Sequence, residues 1–120
     1  MTDRLLLDQL VERVFGWRAA PDRFMTGGRT WIRRSRFRPF IDIRDAFRLA
    51  DALTKQYSLT ALGTGIFIAE VPLPERVGRA SARNKARAIS LAIADALGLP
   101  SRQRQAPTPA GQTGGRRGAQ

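Results

Sequence analysis

The chain contains no cysteine and no histidine. The first absence removes disulfides and thiolate chemistry. The second removes the side chain that most often shuttles protons or binds metals near neutral pH. Lysine is scarce as well: of 21 basic residues, all but Lys55 and Lys85 are arginine. No apolar run approaches the roughly 20 residues that cross a bilayer. Asp8 and Glu12 interrupt the first segment, so neither a signal peptide nor a membrane anchor is expected. These gaps point to a soluble, cytoplasmic, non-enzymatic protein with no cofactor and no metal.

Positive charge is what the chain does have. Its 120 residues carry a formal charge of +11, from 21 basic and 10 acidic side chains. Before Pro100 there are 17 basic and 10 acidic residues, a charge of +7; after it there are four basic residues and no acid, a charge of +4. Guanidinium groups are permanently charged, forked donors suited to phosphate and carboxylate. Such a balance favours a polyanionic partner. GC-rich coding is the competing explanation for arginine over lysine.

The length suits one domain, read as 1–99, followed by a disordered basic tail over 100–120. Leu6, Leu7, Leu10, Val11 and Val14 predict an amphipathic helix over 3–14, capped by Thr2 and stopped by Gly16. Gly27-Gly28 signals a hairpin between strands near 23–26 and 30–34. A second helix is expected over 42–55, with Asp42 as cap, Asp45 as a short capping box, and a stripe of Ile43, Ala46, Phe47, Ala50 and Leu53. Runs 57–62 and 65–71 read as strands turning at Gly63-Thr64, with Pro72 and Pro74 ending the second. Residues 77–80 form a short edge piece. A third helix over 82–97, capped by Ser81 and stopped by Gly98, buries Ala82, Ala86, Ile89, Ile93, Ala96 and Leu97. Tight turns require antiparallel pairing. The expected fold is α/β (α+β): a three-layer α-β-α sandwich of three helices on one mostly antiparallel sheet of about four strands.

Three segments in this order resemble the phage ABA sandwich domain, a family of small phage and prophage proteins. They are Leu10-Val11-Glu12-Arg13-Val14-Phe15-Gly16-Trp17, Pro39-Phe40-Ile41-Asp42 followed by Ala46 and Leu53, and the alanine-rich stretch Ala80 to Leu97. The resemblance covers residues 4 to 99. It implies a layered α-β-α fold and a phage or prophage protein inside a bacterial host cell. It implies no activity and no site residues.

Two constellations could carry binding. Arg29, Arg33, Arg34, Arg36 and Arg38 fall within ten residues without an acid, interleaved with Trp31 and Phe37. Cations beside aromatics suit backbone contact and base stacking. On a strand, Trp31 and Arg33 share one face, and Ile32 and Arg34 the other. A solvated edge that discourages strand-to-strand pairing explains the same residues. The second constellation is Arg79, Ser81, Arg83 and Arg87, with Asn84 among them. There the dipole of a helix beginning at 82 would disfavour the cations and invite an anion, unless Glu75, Asp95 or solvent satisfies them. Arg102, Arg104, Arg116 and Arg117 would add salt-sensitive affinity. The carboxylates are scattered and encode no catalytic cluster. The functional expectation is a phage or prophage accessory protein that binds an anionic partner, foremost nucleic acid. The alternative is a sequestering or inhibitory module for a host protein or a phosphorylated small molecule near Ser81 and Arg83.

Overall fold

A computed structural model describes residues 2–99, so the expected basic tail over 100–120 lies outside the described residues. Helix α1 spans Asp3–Phe15, and the Thr2 side chain accepts from the Leu5 N–H as its cap. Gly16 ends it with φ 75°, a left-handed conformation that costs glycine little. Its N–H returns to Glu12 O, and the Trp17 N–H reaches Val11 O. That reversal turns Trp17 back onto Phe15, the rings stacking 4.5 Å apart.

Strands β1 (Arg18–Ala19), β2 (Arg23–Gly27) and β3 (Thr30–Arg33) form one antiparallel sheet in that order. Its rows alternate across the pleat. Ala19, Phe24 and Ile32 align on the inner side, where Phe24 is fully buried; Arg18, Met25 and Trp31 align on the other. The two-residue strand β1 has no alternation to betray it in sequence. A 3₁₀ turn at Arg34–Arg36 follows, then helix α2 at Ile43–Leu53. Asp42 caps α2 as expected, accepting from the Arg44 N–H at 2.9 Å. Asp45 does not close a capping box; it accepts from the Arg38 N–H at 2.9 Å and pins the preceding loop.

A second antiparallel sheet contains β4 (Ser58–Ala61), β5 (Phe67–Leu73) and β6 (Arg76–Ala82), in that order. Among the described residues there are thus two sheets of three strands, where one of about four was expected, and with the three helices they make a mixed α+β sandwich. Pro72 does not end β5 but pairs with Val77. The β4 ladder reaches only Glu70, so at Pro72 the strand has one neighbour and tolerates a missing donor. The edge piece at 77–80 is in fact a seven-residue strand, paired with β5 along its whole length.

Because β6 continues to Ala82, Ser81 is a strand residue and not a helix cap. Helix α3 spans Lys85–Ala96, and its cap is Asn84, whose side chain accepts from the Arg87 N–H at 3.2 Å. Residues 88 to 94 are buried without interruption, so α3 has no solvent face in its middle. It lies on β5 and β6 and packs against α2. Alanines allow this closeness, and Gly78 allows it from the strand side. A Cβ at Gly78 would overlap the Ala92 carbonyl oxygen and the backbone nitrogen and Cβ of Ala96. The buried face of α2 includes Leu49 beside Ala46 and Ala50.

Gly78→Ala must therefore push β6 off α3. The expected cost is about 3 kcal/mol of unfolding free energy, read from urea denaturation. Gly63→Ala, where an added methyl meets nothing within 4 Å, serves as the control. Equal midpoints for the two variants would contradict the close approach.

Candidate nucleic-acid interface

The arginine run is shaped by the apolar residues within it. Phe37 is fully buried, edge-on to Phe15, Trp17 and Phe24 with centroids 5.8, 5.3 and 6.4 Å away. Pro39 is buried, and its carbonyl accepts a 2.7 Å hydrogen bond from the Ser90 hydroxyl of α3. Ile32 packs partly into the same core. With these three side chains turned inward, Arg33, Arg36 and Arg38 are left exposed.

The outer face of the first sheet holds the clearest constellation. Arg18, Met25 and Trp31 lie in one cross-strand row, and Arg23 pairs with Arg33 in the next row on that side. Trp31 is 44% exposed, high for so large an apolar surface. The Arg23 guanidinium stands 4.5 Å from the centre of its ring. Asp22 holds that guanidinium by two hydrogen bonds of 3.1 Å. The same pairing pulls the exposed Asp22 carboxyl below its ordinary range, chiefly through the hydrogen bond, with the nearby Arg33 adding to it. Arg33 makes no ion pair with any described residue.

Around the edge of this sheet lies an open cleft of about 790 Å³. Trp17, Thr26, Trp31 and Ile32 line it together with Arg33, Arg36 and Arg48. Arg36 stands on the 3₁₀ turn without a described ion partner. Arg48 comes from α2, 5.2 Å above the Phe37 ring and 4.0 Å from Asp45. Three guanidinium groups thus face one space beside two indoles.

The remaining predicted residues divide. Arg29 sits exposed in the β2–β3 turn. Arg34 is structural: its Nε donates to Ala20 O at 2.9 Å, its Nη2 lies 2.8 Å from Asp8 Oδ1, and its guanidinium covers Phe24 at 4.7 Å. The contact with Asp8 is an ion pair without hydrogen-bond geometry. Arg38 and Arg87 line a smaller cleft of about 310 Å³ with Arg4 and Phe40. There Arg87 is clasped by both oxygens of Asp3, at 2.8 and 3.2 Å.

The second constellation is not assembled as one site. Arg79 and Ser81 alternate outward on β6, Arg79 lying 3.6 Å from Glu70, while Gly78 and Ala80 face α3. Arg83 lies in the bend before α3, outside the helix, so it does not share a helical face with Arg87. Arg87 does sit in the first turn, and Asp3, which was not among the acids considered for this cluster, supplies its counter-charge. Asp95 instead holds Arg76 and the Arg79 N–H.

Arg18, Arg23 and Arg48 join the interface from outside the run, and sequence reading did not include them. Arg18 and Arg23 lie on the same face of neighbouring strands, which the pleat could have suggested once β1 was recognised. Arg48 comes from a helix whose docking no local pattern encodes.

No family model matches this sequence, and a search of curated proteins finds no match. Among solved structures, a 2.0 Å crystal structure of a phage protein from Bacillus cereus ATCC 14579 is similar. It superposes with a TM-score of 0.65 over 80% of this chain and 92% of that one, at 18% identity. At that identity the likeness shows the fold. No described helix is long and apolar enough to cross a membrane.

The arginines of the run should separate in a stability measurement. Arg34→Ala strands Asp8 and Ala20 O and is expected to lower unfolding free energy by about 2 kcal/mol. Arg33→Ala and Arg36→Ala should each stay within about 0.5 kcal/mol. Thermal melts of the three variants check this; a uniform response would contradict the division.

Proposed function

We propose that this chain is a small phage accessory protein that binds nucleic acid and catalyses no reaction. The observation that carries the reading is the placement of Trp31 and Arg33 on one exposed sheet face, continuous with the cleft between Arg36 and Arg48. The excess of positive charge over the whole chain supports it, because a polyanion gains from every phosphate neutralised. The similarity to a phage protein supports the phage context. The non-enzymatic part rests on the missing cysteine and histidine and on acids engaged as caps and ion partners: Asp42 on α2, Asp45 at Arg38, Asp95 at β6. The alternative site near Ser81 and Arg83 draws less support, since Arg79 and Ser81 lie on β6, Arg83 in the bend and Arg87 on α3, paired with Asp3.

Fluorescence anisotropy with a labelled oligonucleotide at several salt concentrations tests this. Affinity should fall steeply with salt. The double variant Arg33→Ala, Arg36→Ala should lower the slope of log affinity against log salt by about 1.5, two phosphate contacts' worth. Binding that ignores salt, or a slope the double variant leaves unchanged, would remove the reading.

A further inference from the structure

We infer that the outer face of the first sheet takes nucleic acid as a single strand, with one base stacked on Trp31 on the ring face away from Arg23. This rests on the nucleic-acid reading above and names the form of its ligand.

Three features carry it. One side of the Trp31 ring is covered by a paired cation. Its indole is bracketed on one side by a guanidinium 4.5 Å from the ring centre, and Asp22 locks that guanidinium with two hydrogen bonds. The residue is nonetheless 44% exposed, and with Arg23 over one side of the ring the side left for a stacked partner is the opposite one. A cation behind an indole leaves the far face available for a neutral π-system such as a base.

The neighbours match a strand lying flat on the sheet. Met25 sits beside Trp31 in the same row and extends the apolar platform. Arg33 is two residues along β3 on the same side, about 7 Å away by strand geometry. That places a guanidinium with no close ion pair among the described residues within reach of a phosphate flanking the stacked base. Arg18 closes the row on the other side.

A duplex cannot use this arrangement. Its bases are stacked inside the helix and present only their edges in the grooves. A ring lying on a sheet face meets the face of a base only if that base is already unstacked, as in single strands. Duplex would contact the arginines and leave Trp31 idle.

The full chain is titrated with three labelled probes of equal length, about twelve units: an oligothymidylate, a strand of abasic deoxyribose phosphates, and a duplex. The abasic strand keeps the charge and lacks the bases, so the contribution of residues 100–120 to simple charge binding cancels in the comparison. The oligothymidylate should bind about tenfold more tightly than the abasic strand, while duplex, held through its phosphates alone, should keep its affinity when Trp31 is replaced by alanine. Trp31→Ala should erase that tenfold advantage and leave the abasic strand unaffected. Trp31→Phe, which keeps a stacking face, should retain most of it. Equal wild-type affinity for the thymidylate and abasic strands overturns the inference, and the polyanion reading then survives. A Trp31→Ala loss shared equally by all probes also overturns it. If none of the probes binds at low salt, both readings fall together. Should Trp31→Ala not fold, the wild-type ratio and Trp31→Phe decide alone.

Discussion

Helix α3 runs through the interior with the second sheet on one side and α2 on another, and its residues 88 to 94 have no contact with solvent. Such a position is open only to a helix that is small where backbones approach, which is why Ala92 and Ala96 meet Gly78. The rest of the molecule hangs on this helix through specific bonds. Ser90 holds the Pro39 carbonyl, Arg87 holds Asp3 at the start of α1, and Asp95 holds β6 by Arg76 and the Arg79 N–H. The buried Ser90 hydroxyl has its acceptor, so its burial carries no unmet hydrogen bond. Through Pro39 the same bond fixes where the arginine run ends.

A basic surface emerges from this framework by subtraction. Arg34, Arg76, Arg79 and Arg87 are engaged with Asp8, Asp95, Glu70 and Asp3. These pairs tie elements together and take those cations out of any broad positive field. Arg33 and Arg36, at the edge of the first sheet and on the turn after it, make no close ion pair with a described residue, although Asp22 feels the charge of Arg33. Like charges held close raise the local potential and favour an anion there. Arg23 belongs to both groups, since Asp22 neutralises it while it props the Trp31 ring. The aromatic cluster of Phe15, Trp17, Phe24 and Phe37 beneath the sheet gives that surface a rigid footing.

Much of this was legible beforehand. Helix α1, with its Thr2 cap and Gly16 stop, follows from apolar spacing and cap chemistry, which act within a few residues. The β2–β3 hairpin follows from Gly27-Gly28, and the split of Trp31 and Arg33 from Ile32 follows from the pleat. The start of α3 was misplaced because Ala82 suits a helix as well as a strand. What decided it was pairing with Phe67, a partner distant in sequence, together with Asn84 as a better-placed cap. Pro72 misled for a related reason: whether a missing donor matters depends on whether a neighbouring strand lies on that side.

By itself the amino-acid sequence determined the three helices, the antiparallel hairpins and the positive charge, because these depend on short-range propensity and composition. It also set Trp31 and Arg33 on a common face, since alternation along a strand is local geometry. Only the tertiary structure decided that the strands divide into two sheets and that Arg34 and Arg87 are tied down by Asp8 and Asp3. It likewise brought Arg48 to the cleft and Arg23 under an indole. Those outcomes depend on which side chains meet across the core, and such meetings are settled by the packing of whole helices and sheets, which no window along the chain contains.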